Sequence, residues 1–147
     1  MGTSGEMGAT RSMGSARAAV ERVLADYQGA FSGHDPQSAQ LYYDEPCMFI
    51  EAQRVVVLAS RAEIEARLAS TIQSLEARGW SHSEWVEMNV KQLNDSVALV
   101  STVAVRYMTD GEELERIGAT YAFRKTGSGW KIATAIPHPP DAIPRFD

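Results

Sequence analysis

The sequence predicts an α+β fold, with three N-terminal helices packed on the concave face of a strongly curved, mainly antiparallel sheet. Three observations predict it. Residues 84–138 divide into β-type runs at 84–93, 97–109, 113–125 and 130–138, separated by the turn signals Asn94-Asp95, Asp110-Gly111 and Thr126-Gly127-Ser128-Gly129. The chain before them places apolar residues at three- and four-residue spacing, the helical period. Helices followed by consecutive strands favour helices gathered on one face of an antiparallel sheet.

Residues 1–15 are rich in Gly, Ser and other small side chains and read as a flexible tail. Ser15 can cap a helix over 16–32 whose stripe is Val20, Val23, Leu24, Tyr27 and Phe31, with Gly33 ending it. Asp35 and Pro36 form an N-cap and first-turn proline, opening a short helix to about Tyr43 that Glu45-Pro46 breaks. Residues 47–50 and 54–58 read as short strands. Ser60 with Glu63 is a capping box, opening a helix with Ile64, Leu68, Ile72 and Leu75 on its apolar side and Gly79 as terminator. One domain over 16–140 follows, with a C-terminal tail over 141–147.

Strand register is argued by parity, because a one-residue slip turns every side chain to the other face. Pairing Leu93 with Ser96 sets Val90 opposite Leu99, Met88 opposite Ser101 and Val86 opposite Val103. Centring the next turn on Gly111 sets Val105 opposite Ile117, Val103 opposite Ala119 and Ser101 opposite Tyr121. The last hairpin then pairs Phe123 with Ile132, Tyr121 with Thr134, Ala119 with Ile136 and Ile117 with His138. These residues form the expected inner face. The other face carries Thr102, Ala104, Thr120, Ala122 and Ala133, and two copies of such a flat, small-residue surface can meet in a homodimer. Asp26 and Arg106 read as solvent or interface charges.

A net charge of −5 without a basic cluster argues against a nucleic-acid partner. No apolar run suits a membrane span. The single cysteine, Cys47, beside Met48 and Phe49, reads as a buried structural thiol and fits a reducing cytoplasm. His34, His82 and His138 lie on different elements, so neither a metal site nor a cofactor is expected.

The amphipathic first helix, Gly33-His34-Asp35, Leu41-Tyr42-Tyr43-Asp44-Glu45 and Gly129-Trp130-Lys131-Ile132 resemble the nuclear transport factor 2-like superfamily, within it the SnoaL-like polyketide cyclase and ketosteroid isomerase group. The resemblance implies a cone-shaped α+β barrel enclosing an apolar pocket. It matches Tyr27 to the tyrosine that holds an enolate oxygen in the isomerase-like members. Aligned on Asp35, it puts Glu51 at the position of the proton-moving aspartate; aligned on Leu41-Tyr42, it puts Ile50 there. The second oxyanion acid falls near Ala119, whose methyl cannot donate a hydrogen bond, which argues against steroid isomerisation. An epoxide hydrolase of this superfamily would need Arg-x-Asp on a central strand, and Arg106 is followed by Met108 at that spacing.

Candidate site residues follow. His138 shares the inward parity of Trp130, Ile132, Thr134 and Ile136, and is either a general acid-base or a hydrogen-bonded rim histidine. Glu51 is either a base raised in pKa by burial or an exposed loop carboxylate. Tyr27 completes the catalytic candidates. Phe31, Phe49, Met88 and Val103 are expected in the pocket wall, and Tyr121, Ser101 and Thr134 as hydroxyl groups able to orient a ligand. The expected partner is a small apolar or partly polar molecule, used either by an enzyme of proton-transfer, cyclase or dehydratase type or by a non-catalytic binding or dimerisation domain.

Overall fold

The computed structural model describes the backbone of residues 2–146 and the side chains of residues 16–146; the tail expected over 1–15 lies outside the described side chains. Helices α1 (Gly2–Ser32) and α2 (Pro36–Ala39) precede β1 (Tyr43–Ile50) and β2 (Val55–Leu58). Helix α3 (Arg61–Ala77) leads into β3 (Trp80–Asn94), β4 (Val97–Met108), β5 (Glu113–Thr126) and β6 (Gly129–His138). The strands form one curved sheet in the order β2-β1-β6-β5-β4-β3, antiparallel except where β1 runs parallel to β6. Among the described residues no helix is long and apolar enough to cross a membrane.

The helices form where the periodicity places them. Val20, Leu24, Tyr27 and Phe31 of α1 and Ile64, Leu68, Ile72 and Leu75 of α3 are buried in one core with Val90, Val100, Phe123 and Ile132 of the sheet. Each such burial stabilises the fold by roughly 1.5–3 kcal/mol. The Ser60–Glu63 capping box is formed, and Asp35 caps α2 through the Ser38 N–H. Gly79 has φ +83°, as its role behind α3 requires. Helix α1 begins at Gly2 rather than at residue 16, and α2 ends at Ala39 rather than about Tyr43. Strand β1 begins at Tyr43 rather than Cys47, and β3 at Trp80 rather than Glu84.

The left-handed residue behind α1 is His34, at φ +60°, rather than Gly33. The Asp35 N–H donates to the Ala30 carbonyl and closes the helix end. The His34 ring stacks on Trp80 at 4.6 Å, with Nδ1 2.6 Å from the Glu76 carboxylate and Nε2 2.7 Å from the Ser81 carbonyl. Both partners only accept, so the imidazolium satisfies both, and the Glu76 bond followed by the Ser81 bond raises the His34 pKa.

The sheet corrects the parity argument, and the cause is β-bulges. Register shifts fall in β3 between Trp80 and His82, Trp85 and Glu87, and Gln92 and Asn94, so Met88 meets Thr102 and Val90 meets Val100. The Phe123–Ile132 pair forms as expected, but a bulge follows it, and Tyr121 meets Ala135 while Gly118 meets His138. Between β4 and β5, Tyr121 pairs with Val100, Ala119 with Thr102 and Ile117 with Ala104. The bulge residues Val86 and Leu93 are pushed to the surface. Strand β4 is thus turned over relative to expectation. Its concave side carries Ala98, Val100, Thr102, Ala104 and Arg106. Ser101 and Val103 lie on the convex side.

That convex side is partly covered by the chain's own C-terminus. Ile143 is buried, the Ser101 hydroxyl donates to the Pro144 carbonyl, and Arg145 pairs with Glu87 at 2.8 Å. Of the small residues expected on this face, Thr102 and Ala104 are concave, and Thr120 and Ala122 remain on it.

Candidate functional site

Between α1, α3 and the concave face of the sheet lies a cavity of about 480 Å³. Tyr27 and Phe31 enter it from α1, Tyr43 and Phe49 from β1, and Tyr121 from β5. Their position follows from local structure. Tyr27 and Phe31 are one helical turn apart, and Tyr43 and Phe49 lie parallel in β1 at 5.7 Å. Small residues opposite them, Ala119 and Ala135, leave the space open.

The polar groups of the cavity are few. The Tyr43 hydroxyl donates to the Tyr27 hydroxyl at 2.8 Å, so the Tyr27 oxygen is an acceptor here and its own proton is free to be donated. Among the described residues the Tyr121 hydroxyl has no partner. Burial pushes the Tyr27 pKa up to about 12, opposed by the Tyr43 hydrogen bond and the Arg106 charge. Burial raises Tyr121 and Tyr43 further. All these phenols stay protonated at neutral pH and act as donors.

Arg106 reaches the same wall from β4. Its Nη1 donates to Glu115 at 2.6 Å, and Glu115 also holds Arg78 at 2.9 Å. The Arg106 Nε is buried and has no hydrogen-bond partner among the described residues. A buried donor without a partner costs about 1–3 kcal/mol and calls for a water or ligand acceptor nearby.

Glu51 also lines the cavity, but it is engaged. Arg54 donates to one oxygen at 2.9 Å and Arg67 to the other at 2.6 Å. These bonds, Arg54 first, hold its carboxyl below the usual range, which makes it a weak base. Arg67 in turn lies over the Phe49 ring at 4.9 Å. Among the described residues no three metal-ligating side chains come together.

The structure therefore brings together Tyr27, Phe31, Phe49, Glu51 and Tyr121. His138 is among the residues lining the edge of the cavity, but it pairs with Gly118 and so takes the convex strand position rather than the inward one expected from parity. The imidazole lies across Gly118, with Nε2 2.8 Å from the Thr120 hydroxyl and Nδ1 2.8 Å from the Pro139 carbonyl. The β6 bulge is the reason, because it moves His138 to the parity of Thr120. The same bulge takes Thr134 to the convex side, opposite Ala122. Ser101 and Val103 are convex through the turnover of β4, and Met88 packs on the core outside the cavity wall. Sequence reasoning missed Tyr43, Arg67 and Arg106. Arg67 had a signal: it precedes Leu68 and lies one turn before Thr71, on the inward side of α3.

The sequence profile of the family described as NTF2-like protein (DUF6841) matches residues 16–140. The chain belongs to this family. No curated protein sequence matches it. An NTF2-like protein with a cystatin-like fold from Novosphingobium aromaticivorans is similar in structure, with 16% identity, TM-score 0.75, and 92% of this chain and 88% of that one covered. Aln2 from a Streptomyces species has 15% identity and TM-score 0.69, over 86% of this chain and 91% of that one. A candidate scytalone dehydratase from Novosphingobium aromaticivorans has 16% identity and TM-score 0.67, over 88% of this chain and 87% of that one. At these identities the likeness is one of fold, which hosts many functions.

Proposed function

We propose that this NTF2-like domain is a receptor for a small molecule with a flat, largely apolar body and one oxygen-bearing end. The observation that carries the reading is the cavity itself: about 480 Å³, walled by Phe31, Phe49, Ile117 and Tyr121, with donor groups gathered at Tyr27, Tyr121 and Arg106. Its volume falls within the range of about 300–1,000 Å³ usual for ligand sites. Binding is favoured over acid-base catalysis because the one carboxylate in the wall, Glu51, is neutralised by two arginines. A second reading, in which the Tyr27 hydroxyl polarises a carbonyl as in an isomerase or dehydratase, draws on the Tyr43–Tyr27 bond. It needs a base from outside the groups described above.

The test is thermal unfolding with 2-naphthamide or 2-naphthoate added. At a concentration one hundred times Kd, a ligand of the native state adds about 2.7 kcal/mol, a rise in Tm of about 5–10 °C for a chain of this size. Ala135→Phe fills the cavity from the β6 wall and abolishes the shift. Wild-type protein that shows no shift, or an Ala135→Phe variant that binds as well as wild type, contradicts the reading.

A further inference from the structure

The chemistry of the ligand can be taken further, on the basis of the receptor reading. Two ion-pair groups contribute to the cavity wall, and each carries more positive charge than negative. In one, the Glu51 carboxylate is shared by Arg54 and Arg67 at 2.9 and 2.6 Å. In the other, Glu115 is shared by Arg78 and Arg106 at 2.9 and 2.6 Å. Two guanidiniums on one carboxylate leave one positive charge in each group. The chain as a whole has a net charge of −5, so this positive region is a local feature and not the general character of the surface.

The hydrogen-bonding groups agree with the charge. Arg106 uses Nη1 on Glu115, while Nε is buried without a partner among the described residues. The Tyr27 oxygen accepts a hydrogen bond from the Tyr43 hydroxyl, so the free capacity of the Tyr27 hydroxyl includes a donor. Tyr121 adds a second phenol. Glu51 is the only carboxylate in the wall among the described residues, and both its oxygens are already taken. The cavity thus offers donors and positive charge, and a complementary ligand supplies acceptors and negative charge.

We propose that the ligand is an organic carboxylate with a flat apolar body, held with its anionic oxygens towards Arg106 and the Tyr27 and Tyr121 hydroxyls. The aromatic walls fit the body, and a guanidinium presents the forked donor geometry that a carboxylate matches. Placing Arg106 in a wall where only 17% of its side chain is exposed strengthens that contact relative to a surface arginine.

The experiment is calorimetric titration of 2-naphthoate and 2-naphthamide near neutral pH. The two share ring and shape and differ by one charge. The expected result is naphthoate binding tighter by about tenfold or more, as a hydrogen bond to a charged group provides. Added salt weakens naphthoate and leaves naphthamide unchanged. Arg106→Gln weakens naphthoate more than naphthamide, so the preference for the acid is lost. Equal affinities, or tighter binding of the amide, overturn the carboxylate assignment and leave the receptor reading standing. Binding of neither overturns the receptor reading and this inference with it. Should Arg106→Gln fail to fold, the wild-type preference and its salt dependence decide alone. A preference that salt does not weaken counts against the proposal.

Discussion

Gly118→Ala is the substitution that best probes the register on which the site depends. A Cβ at this position would run into the His138 imidazole, and it would come within 2.9 Å of the Pro139 carbonyl oxygen. Real Cβ atoms do not approach backbone that closely, so the imidazole and the strand exit must both move. Forcing an extra methyl into packed structure costs about 1–3 kcal/mol. Displacing the imidazole also breaks its hydrogen bonds to Thr120 and Pro139, at about 0.5–1.5 kcal/mol each. The expected loss is about 2–6 kcal/mol, a fall in Tm of roughly 5–20 °C. Urea unfolding measures it. Combining Gly118→Ala with His138→Ala removes the ring that the methyl strikes, so the double variant is more stable than the sum of the singles by about 1–2 kcal/mol. The Pro139 contact remains, and rescue is partial. A single variant within about 0.5 kcal/mol of wild type, typical of an uncrowded surface site, would refute the placement of His138 over Gly118 and the β6 bulge that puts it there.

His34 makes stability depend on pH. Its folded pKa is raised, so its contribution is fully present below the ordinary histidine value of about 6.5 and is lost as pH rises through the higher folded value. Tm measured from acid to alkaline pH falls more steeply for wild type than for His34→Gln across that window; parallel curves would contradict the clamp on Glu76 and Ser81. We also propose self-association through the part of the convex face that the C-terminus leaves open, around Thr120, Ala122 and Thr134. Light scattering at micromolar concentration is expected to give the mass of a dimer, and a monomer mass rejects it.

The helical half of the fold was legible because its signals are local and redundant. The α3 stripe, the Ser60–Glu63 box and Gly79 each mark the same helix, and all appear in the structure. The strands were legible as elements but not as faces. In β4 both sides are apolar, Ala98, Val100 and Ala104 on one and Leu99, Val103 and Val105 on the other, so alternation cannot tell inner from outer. The bulges that decide the question leave little trace in sequence, since Val86, Leu93 and Ala133 are ordinary strand residues. Arg106 was therefore assigned to the convex face and His138 to the concave one, and the structure exchanges them. Tyr27, Phe31 and Tyr121 were found because their placement depends on α1 and on β5, whose parity was read correctly. Tyr43 was hidden by the short helix before it, where the chain passes directly into β1.

The most direct test is a crystal structure of the protein with 2-naphthoate. The expected result is the ring between Phe31, Phe49 and Tyr121, with the carboxylate within hydrogen-bonding distance of Arg106 and the Tyr27 hydroxyl. A ligand bound on the convex face, or an Arg106 side chain turned away from the concave cavity with Ser101 and Val103 in its place, would contradict it.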